Sequence, residues 1–432
     1  MTRQKPREIA VRVLREWATK TIPVDSLLAE ALPQLSGPDR GLCQELVLGV
    51  IRRLATLDWL IEQKTNGRQQ QSLAQTLLRL GLYQIFFLNR VPHHAAVNEM
   101  VNIARQHDLD RQSGFINAVL RNCLREKEAW AKRLEELRKR QPAIGYSHPQ
   151  WLVQRWQDRW IDYQTLLEWN NQPAPIYARR NSLRAAAEGL EIQWKSEGVT
   201  FEPVEFPWLD PDLMYRIKVA GSPAGLPSFD EGKFYIQDPS TLVSIQELDP
   251  QSGENILDLC AAPGGKTTAI AQRMQDKGSL LATDIDDRRL GRLHENIARL
   301  GITCVQPKPL CGIDLNTAGP FDRILVDAPC SNSGVMRRRI DVRWRLQARE
   351  LPVLARRQLS LLKRVAKLLK PGGVLVYSTC SLEAEENEEV IGAFLKKHRN
   401  FRQNTTRTIT PMHDGVDGAF VARLRCETSA VE

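Results

Sequence analysis

Five residues able to do chemistry close apolar runs of this 432-residue chain: Cys260, Asp284, Asp327, Cys330 and Cys380. Ile256 to Leu259 precedes Cys260, and Leu280 to Ala282 precedes Thr283-Asp284. Phe321 to Val326 leads into Asp327-Ala328-Pro329-Cys330-Ser331, and Val374 to Tyr377 into Ser378-Thr379-Cys380-Ser381. Runs of this length bounded by small or turn-forming residues read as buried strands. Helical stretches alternate with them. Thr267 to Met274 is free of Gly and Pro; Leu290, Leu293, Ile297 and Leu300 form one face ended by Gly301; Leu354, Leu361, Val365 and Leu368 mark a long helix stopped by Lys370-Pro371-Gly372-Gly373. Strand followed by helix, repeated, means a parallel sheet covered on both faces, with ligands at the C-terminal strand ends. Five reactive residues on that one edge make a site.

The ligand is read from the loop after the first of these strands, Cys260-Ala261-Ala262-Pro263-Gly264-Gly265-Lys266. Small residues let backbone approach a ligand, and the following helix offers free N–H groups. A phosphate-cradling P-loop ending Gly265-Lys266-Thr267 would need glycine where Cys260 stands, and no G-x-G-x-x-G fingerprint is present. Asp284, at the end of the next strand, suits hydrogen bonds to ribose hydroxyls. A ribose-bearing ligand without a polyphosphate grip is expected, and S-adenosylmethionine fits that description; the bland alternative is a tight turn in an ordinary α/β sheet.

Two cysteines at neighbouring strand ends beside such a cofactor point to methylation at C5 of a pyrimidine. That carbon is a poor nucleophile. A thiolate adding to C6 makes C5 enamine-like, C5 takes the methyl group, a base removes the C5 proton, and β-elimination frees the enzyme. An acid such as Asp327 can hydrogen-bond N3 and activate the ring. The spacing leaves open which of Cys330 and Cys380 is the nucleophile. A lone cysteine is more often an inert packing residue; the placement of these two argues otherwise.

The remaining sequence must position this site. A chain of this length is expected to form two or three domains. Its 42% hydrophobic fraction and ten Trp support a globular protein, and no apolar run reaches membrane-spanning length. The basic N-terminus is not followed by a signal-peptide core, so a cytoplasmic protein is expected. A net charge of +9 favours a polyanionic partner. The eight Cys form no C-x-x-C pair and no disulfide-like cluster. Residues 1–140 read as a helical bundle, from stripes such as Ile9, Val13 and Trp17, or Val97, Met100, Val101 and Ala104. His93-His94 suits a helix start better than a metal site, because no third ligand is spaced nearby; no metal is expected. Residues 141–235 read as a small α+β segment able to contact RNA, and 236–432 as the catalytic domain. Trp151, Trp156, Trp160 and Trp169 are read as core rather than as base-stacking platforms.

Two resemblances sharpen this reading. His93-His94-Ala95-Ala96-Val97-Asn98-Glu99 and Gly114-Phe115-Ile116-Asn117-Ala118-Val119-Leu120-Arg121 resemble the RNA-binding domain of NusB-type antitermination factors. Asp-Leu-Cys-Ala-Ala-Pro-Gly-Gly-Lys-Thr at 258–267, Asp-Ala-Pro-Cys-Ser at 327–331 and Ser-Thr-Cys-Ser at 378–381 resemble the RNA cytosine-5 methyltransferases, and Gln237-Asp238-Pro239-Ser240 and Glu385-Glu386-Asn387-Glu388 extend the match. The resemblance implies a Rossmann-like, S-adenosylmethionine-dependent α/β domain behind a NusB-like bundle, acting on small-subunit ribosomal RNA, as a monomer. It implies Cys380 as the nucleophile, Cys330 as the residue that helps release product, and Lys266 and Asp327 as groups that position or activate cytosine. Cofactor contacts implied are Cys260, Ala261, Ala262, Pro263, Gly264, Gly265 and Lys266, with Asp284 on the ribose and Asp327 near the methionine end. Two departures stand out: Leu310-Cys311-Gly312 replaces the usual acid near the adenine, with Asp314 the nearest acid, and Arg337-Arg338-Arg339-Ile340 lacks a common His-Pro. That arginine run reads either as a phosphate contact or as a solvated basic loop. The same chemistry on transfer RNA, a non-catalytic RNA-binding factor and a nucleotide hydrolase are the competing readings.

Overall fold

The computed structural model describes residues 5–107, 109–312 and 318–427. They divide into two compact units. One contains residues up to Gln172 together with Met336–Arg345; the other contains Pro173–Val335 and residues from Leu346 onward.

The first unit is helical. Its helices include Pro6–Thr19, Gly37–Arg52, Leu54–Thr65, Ser72–Phe87, His93–Gln106, Asp110–Arg125 and Lys127–Arg140. The apolar stripes turn inward: Ile9, Val13, Leu46, Val50, Leu57, Leu77, Val97, Met100 and Cys123 are buried in one core. His93 opens its helix directly after Pro92. Helical structure continues past residue 140 with Gln150–Arg159 and Tyr163–Trp169, so the compact unit runs further than the boundary expected at 140. Of the four Trp in this stretch, Trp156 is fully buried and the other three are half-buried.

The segment Met336–Arg345 is part of this helical unit although it lies between the second unit's strands in sequence. Ile340 joins the helical core, and the Trp344 indole N–H donates to the Ile51 carbonyl at 2.9 Å. Arg343 is fully buried; its guanidinium donates to the Asn170 carbonyl at 2.7 Å, to Asn171 Oδ1 at 2.9 Å and to the Ser147 carbonyl at 3.3 Å. Burial and the nearby Arg52 and Arg53 push its pKa well below the ordinary arginine value. Arg337 is buried too, its guanidinium 3.8 Å from the centre of the Trp169 ring. The run is therefore not the solvated basic loop weighed from sequence, and of its three arginines Arg339 is the exposed one.

The second unit holds two sheets. Strands β1 (Ile176–Arg180), β2 (Thr200–Pro203), β3 (Met214–Lys218) and β4 (Phe234–Ile236) pair antiparallel in the order β2-β3-β1-β4, around Trp194, Tyr215 and Phe234. The larger sheet comprises β5 (Asn255–Asp258), β6 (Ser279–Asp284), β7 (Val305–Pro309), β8 (Phe321–Asp327), β9 (Leu369–Thr379), β10 (Phe401–Ile409) and β11 (Ala419–Cys426). Its order is β10-β11-β9-β8-β5-β6-β7; β9, β8, β5, β6 and β7 run parallel, and the β9–β11 and β11–β10 pairs are antiparallel. The chain winds outward from β5 through β6 to β7 on one side and returns through β8 to β9 on the other. The order reverses between β5 and β8, the switch point where open α/β sheets bind ligands.

One expected breaker lies inside a strand. Phe321 pairs with Leu369 and Arg323 with Val374, so Lys370-Pro371-Gly372-Gly373 bulges opposite Asp322. Gly372, at φ 77°, supplies the left-handed residue that turn needs, and Lys370 bonds Asp322 Oδ1 at 2.6 Å.

Candidate active site

The turn after β5 builds one wall. Gly264 has φ 106°, a left-handed conformation that demands glycine. Helix Gly265–Arg273 starts immediately after it. Asp284, 2% exposed at the tip of β6, fixes this turn: one carboxyl oxygen accepts from the Ala262 amide at 3.2 Å and the other from the Asp286 amide at 3.1 Å. The second oxygen, Oδ1, keeps a further lone pair for a ligand hydroxyl, while Oδ2 also faces the Arg289 guanidinium at 3.5 Å. Cys260 is half-buried; burial and the nearby Asp327, Asp258 and Asp284 drive its thiol pKa upward, which makes it a neutral lining group rather than a nucleophile.

Asp258, at the end of β5, supports the turn from beneath. It is fully buried, accepts from Thr267 Oγ1 at 2.7 Å, and its Oδ1 has no hydrogen-bond partner among the described residues. Burial is the main cause that pushes its pKa up to about 7. A proton bound more tightly in the folded state contributes stability that is complete below about pH 4 and is lost as pH rises through about 7. Asp258→Asn keeps the acceptor for Thr267 and cannot ionise. Melting curves between about pH 5 and 8 are therefore expected to show wild type losing stability relative to Asp258→Asn by a few kcal/mol; parallel curves would contradict it.

The opposite wall comes from β8 and β9, neighbours in the sheet. Asp327 ends β8; its Oδ1 lies 2.5 Å from Lys266 Nζ and accepts from Ser378 Oγ at 2.8 Å. This ion pair spans the switch point from the β5 turn to β8. The chain then forms an irregular loop that carries Cys330, and Cys380 directly follows β9. Their sulfurs are 3.1 Å apart. Asn332, in the left-handed region at φ 59°, ties the pair together: its side-chain N–H donates to the Cys330 carbonyl at 2.8 Å, and Cys380 Sγ lies 3.3 Å from its Oδ1. The Cys330 thiol pKa is raised well above the usual thiol value, first by its hydrogen bond with Cys380 and then by burial.

All five strand-end residues read from sequence thus lie at the C-terminal edge of the larger sheet. Asp314 lies outside the described residues. Cys311 is exposed, and Cys43, Cys123, Cys304 and Cys426 are buried. Sequence reasoning missed Arg179 and the structural place of Glu386. Arg179 on β1 is 1% exposed and donates to the Gly265 carbonyl at 2.7 Å, to Gln237 Oε1 at 2.6 Å and to Thr268 Oγ1 at 2.7 Å, pinning the start of helix Gly265–Arg273. A basic residue one position before the end of a short strand, next to Arg180, carried no signal that could have singled it out.

This sheet order, with a small-residue turn after β5 and an acid at the end of β6, defines a Rossmann-like S-adenosylmethionine-dependent methyltransferase domain. The snug turn and the acceptor capacity of Asp284 fit that cofactor. Residues 245–425 match the family described as 16S rRNA methyltransferase RsmB/F, residues 4–125 match the NusB family, and residues 148–207 match a ferredoxin-like domain of the same methyltransferases. The chain is 36% identical to the ribosomal RNA small subunit methyltransferase B of Klebsiella pneumoniae, covering 97% of each protein. It is 34% identical to the probable methyltransferase B of Bacillus subtilis, covering 98% of this chain and 99% of that one. The chain belongs to the ribosomal RNA small subunit methyltransferase B family. Among solved structures, PH0851 superposes with TM-score 0.78 at 25% identity, covering 98% of this chain and 99% of that one. A methyltransferase homolog from Pyrococcus horikoshii reaches TM-score 0.53 at 31% identity, over 61% of this chain and 90% of its own. Among the described residues no helix is long and apolar enough to cross a membrane.

Proposed function

We propose that the protein methylates C5 of a cytosine in small-subunit ribosomal RNA, acting as a cytoplasmic monomer through a covalent bond between Cys380 and C6. The observation that carries this reading is the pair of sulfurs 3.1 Å apart at the ends of adjacent strands, beside the Lys266–Asp327 ion pair. Bound S-adenosylmethionine supplies an electrophilic methyl group. Cys260 to Lys266, Asp284 and Asp327 hold it.

Cys380 adds to C6 as the thiolate, forming an S–C6 bond and pushing the ring's electron pair toward C5. The Lys266 ammonium, paired with Asp327, donates a hydrogen bond to N3, which draws density from C6 and eases that attack. After methyl transfer, Cys330 removes the C5 proton. It does so as the thiolate and leaves the step as the thiol. The electron pair released from the C5–H bond re-forms the C5–C6 double bond and expels Cys380. Reaching C6 requires the cytosine to leave any stack. The NusB-like domain is assigned to gripping the RNA.

Incubation with methyl-labelled S-adenosylmethionine and either a 16S ribosomal RNA transcript or bulk transfer RNA, followed by digestion to nucleosides, tests this reading. The label is expected in 5-methylcytidine from the ribosomal transcript. Label in another nucleoside, or from transfer RNA alone, would overturn it.

A further inference from the structure

We infer that Glu386 is the positioning residue that sets the separation of the two reactive thiols; this deepens the cytosine-C5 reading and rests on it. Glu386 is fully buried, and its side chain touches the residue following each cysteine. One oxygen accepts from the Ser331 amide at 2.9 Å and from Gln358 Nε2 at 2.9 Å; the other accepts from Ser381 Oγ at 2.5 Å. Gln358 also donates to the Pro329 carbonyl at 3.0 Å, so the chain is held on both sides of Cys330. The Glu386 backbone carbonyl accepts from the Tyr377 phenol Oη at 2.5 Å, which anchors the residue to β9 itself.

The chemistry of the donors explains the residue type. The Ser331 backbone N–H cannot reverse, and Gln358 Nε2 is held in its orientation by the Pro329 carbonyl, so an acceptor must face both. Ser331 and Ser381 also meet directly, Oγ to Oγ at 3.0 Å, and the Gly334 amide donates to the Cys380 carbonyl at 2.9 Å. The loop bearing Cys330 lacks regular backbone pairing around Ser331, so these side-chain bonds locate it. A buried acidic side chain is costly to maintain, and its bonds are spent on the two loops whose sulfurs must act on one ring. Glu386 touches neither sulfur; its charge adds to the upward push on the Cys330 thiol pKa, and its positioning effect passes through Ser331 and Ser381.

Thiol closure reads this geometry without RNA. With 2,2′-dithiodipyridine, one thiolate attacks the probe and releases pyridine-2-thione. The second thiolate then attacks the mixed disulfide and releases another. One Cys330–Cys380 disulfide forms as one probe molecule is reduced. Peptide mass mapping separates this product from modification of exposed Cys311. Wild type and Glu386→Gln are expected to close the disulfide rapidly. Gln keeps an acceptor for both N–H donors, and the Ser381 hydroxyl can turn to accept. Glu386→Ala should slow closure at least about tenfold and accumulate the mixed disulfide. In methyl transfer, Ala should lower kcat about 100-fold with KM for S-adenosylmethionine nearly unchanged, and Gln should restore most of it. Ser381→Ala, which removes one arm only, should fall between and serves if the Glu386→Ala protein does not fold. Wild-type closure in both alanine variants, or a Gln variant as slow as Ala, would overturn the inference. If closure follows this order while wild type makes no 5-methylcytidine, the positioning role stands and the proposed reaction falls.

Discussion

Cys380→Ala is expected to abolish 5-methylcytidine formation, by at least about 10⁴-fold, while S-adenosylmethionine affinity stays within about twofold. Without the sulfur no bond to C6 forms, and C5 of cytosine stays too weak a nucleophile to take a methyl group. The side chain meets Cys330 and Asn332, whereas Asp284 and the Ala262 amide define the cofactor turn on the other side of the switch point. Losing one sulfur therefore removes chemistry and spares the cofactor pocket. Single-turnover methyl transfer and calorimetric titration with S-adenosylmethionine check the two halves separately. Undiminished turnover would refute the role of Cys380; lost affinity would mean that the cysteine loop also shapes the cofactor site.

Cys330→Ala is expected to lower multiple turnover by about 10³-fold for a different reason. Cys380 remains and can add to C6, and the methyl group can still be transferred. Removal of the C5 proton then loses its base, so β-elimination stalls with RNA attached through Cys380. The 3.1 Å contact between the sulfurs makes this division of labour feasible, since one thiol can serve the atom beside the one bonded to the other. The two alanine variants, both strongly impaired in steady state, should differ in the species that accumulates: free RNA for Cys380→Ala, attached RNA for Cys330→Ala.

Much of this site was legible because each reactive residue closes an apolar run. Strand ends such as Val326-Asp327 and Thr379-Cys380 are local features: three or four consecutive apolar residues, Ile324 to Val326 or Val374 to Tyr377, then polar or reactive ones. The glycine turn after β5 was legible for the same reason. What escaped notice depends on partners distant in the chain. Arg343 is buried against Ser147, Asn170 and Asn171, and nothing within Met336–Arg345 announces that this arginine-rich stretch belongs to the helical unit. Glu386 sat in a motif, but its task, joining Ser331 to Ser381, becomes visible only when β8 and β9 lie side by side. The Pro371-Gly372 pair looked like a terminator because a bulge and a loop use the same residues. Strand β10 went unread because Arg402 to Thr406 are exposed polar residues at a sheet edge, without apolar alternation.

A denaturing gel of Cys330→Ala mixed with S-adenosylmethionine and a 16S ribosomal RNA transcript tests the central claim most directly. The account predicts a slow band containing both protein and RNA that is absent from the Cys330→Ala/Cys380→Ala double variant. No such band, with Cys330→Ala still turning over, would contradict the assignment of nucleophile and base.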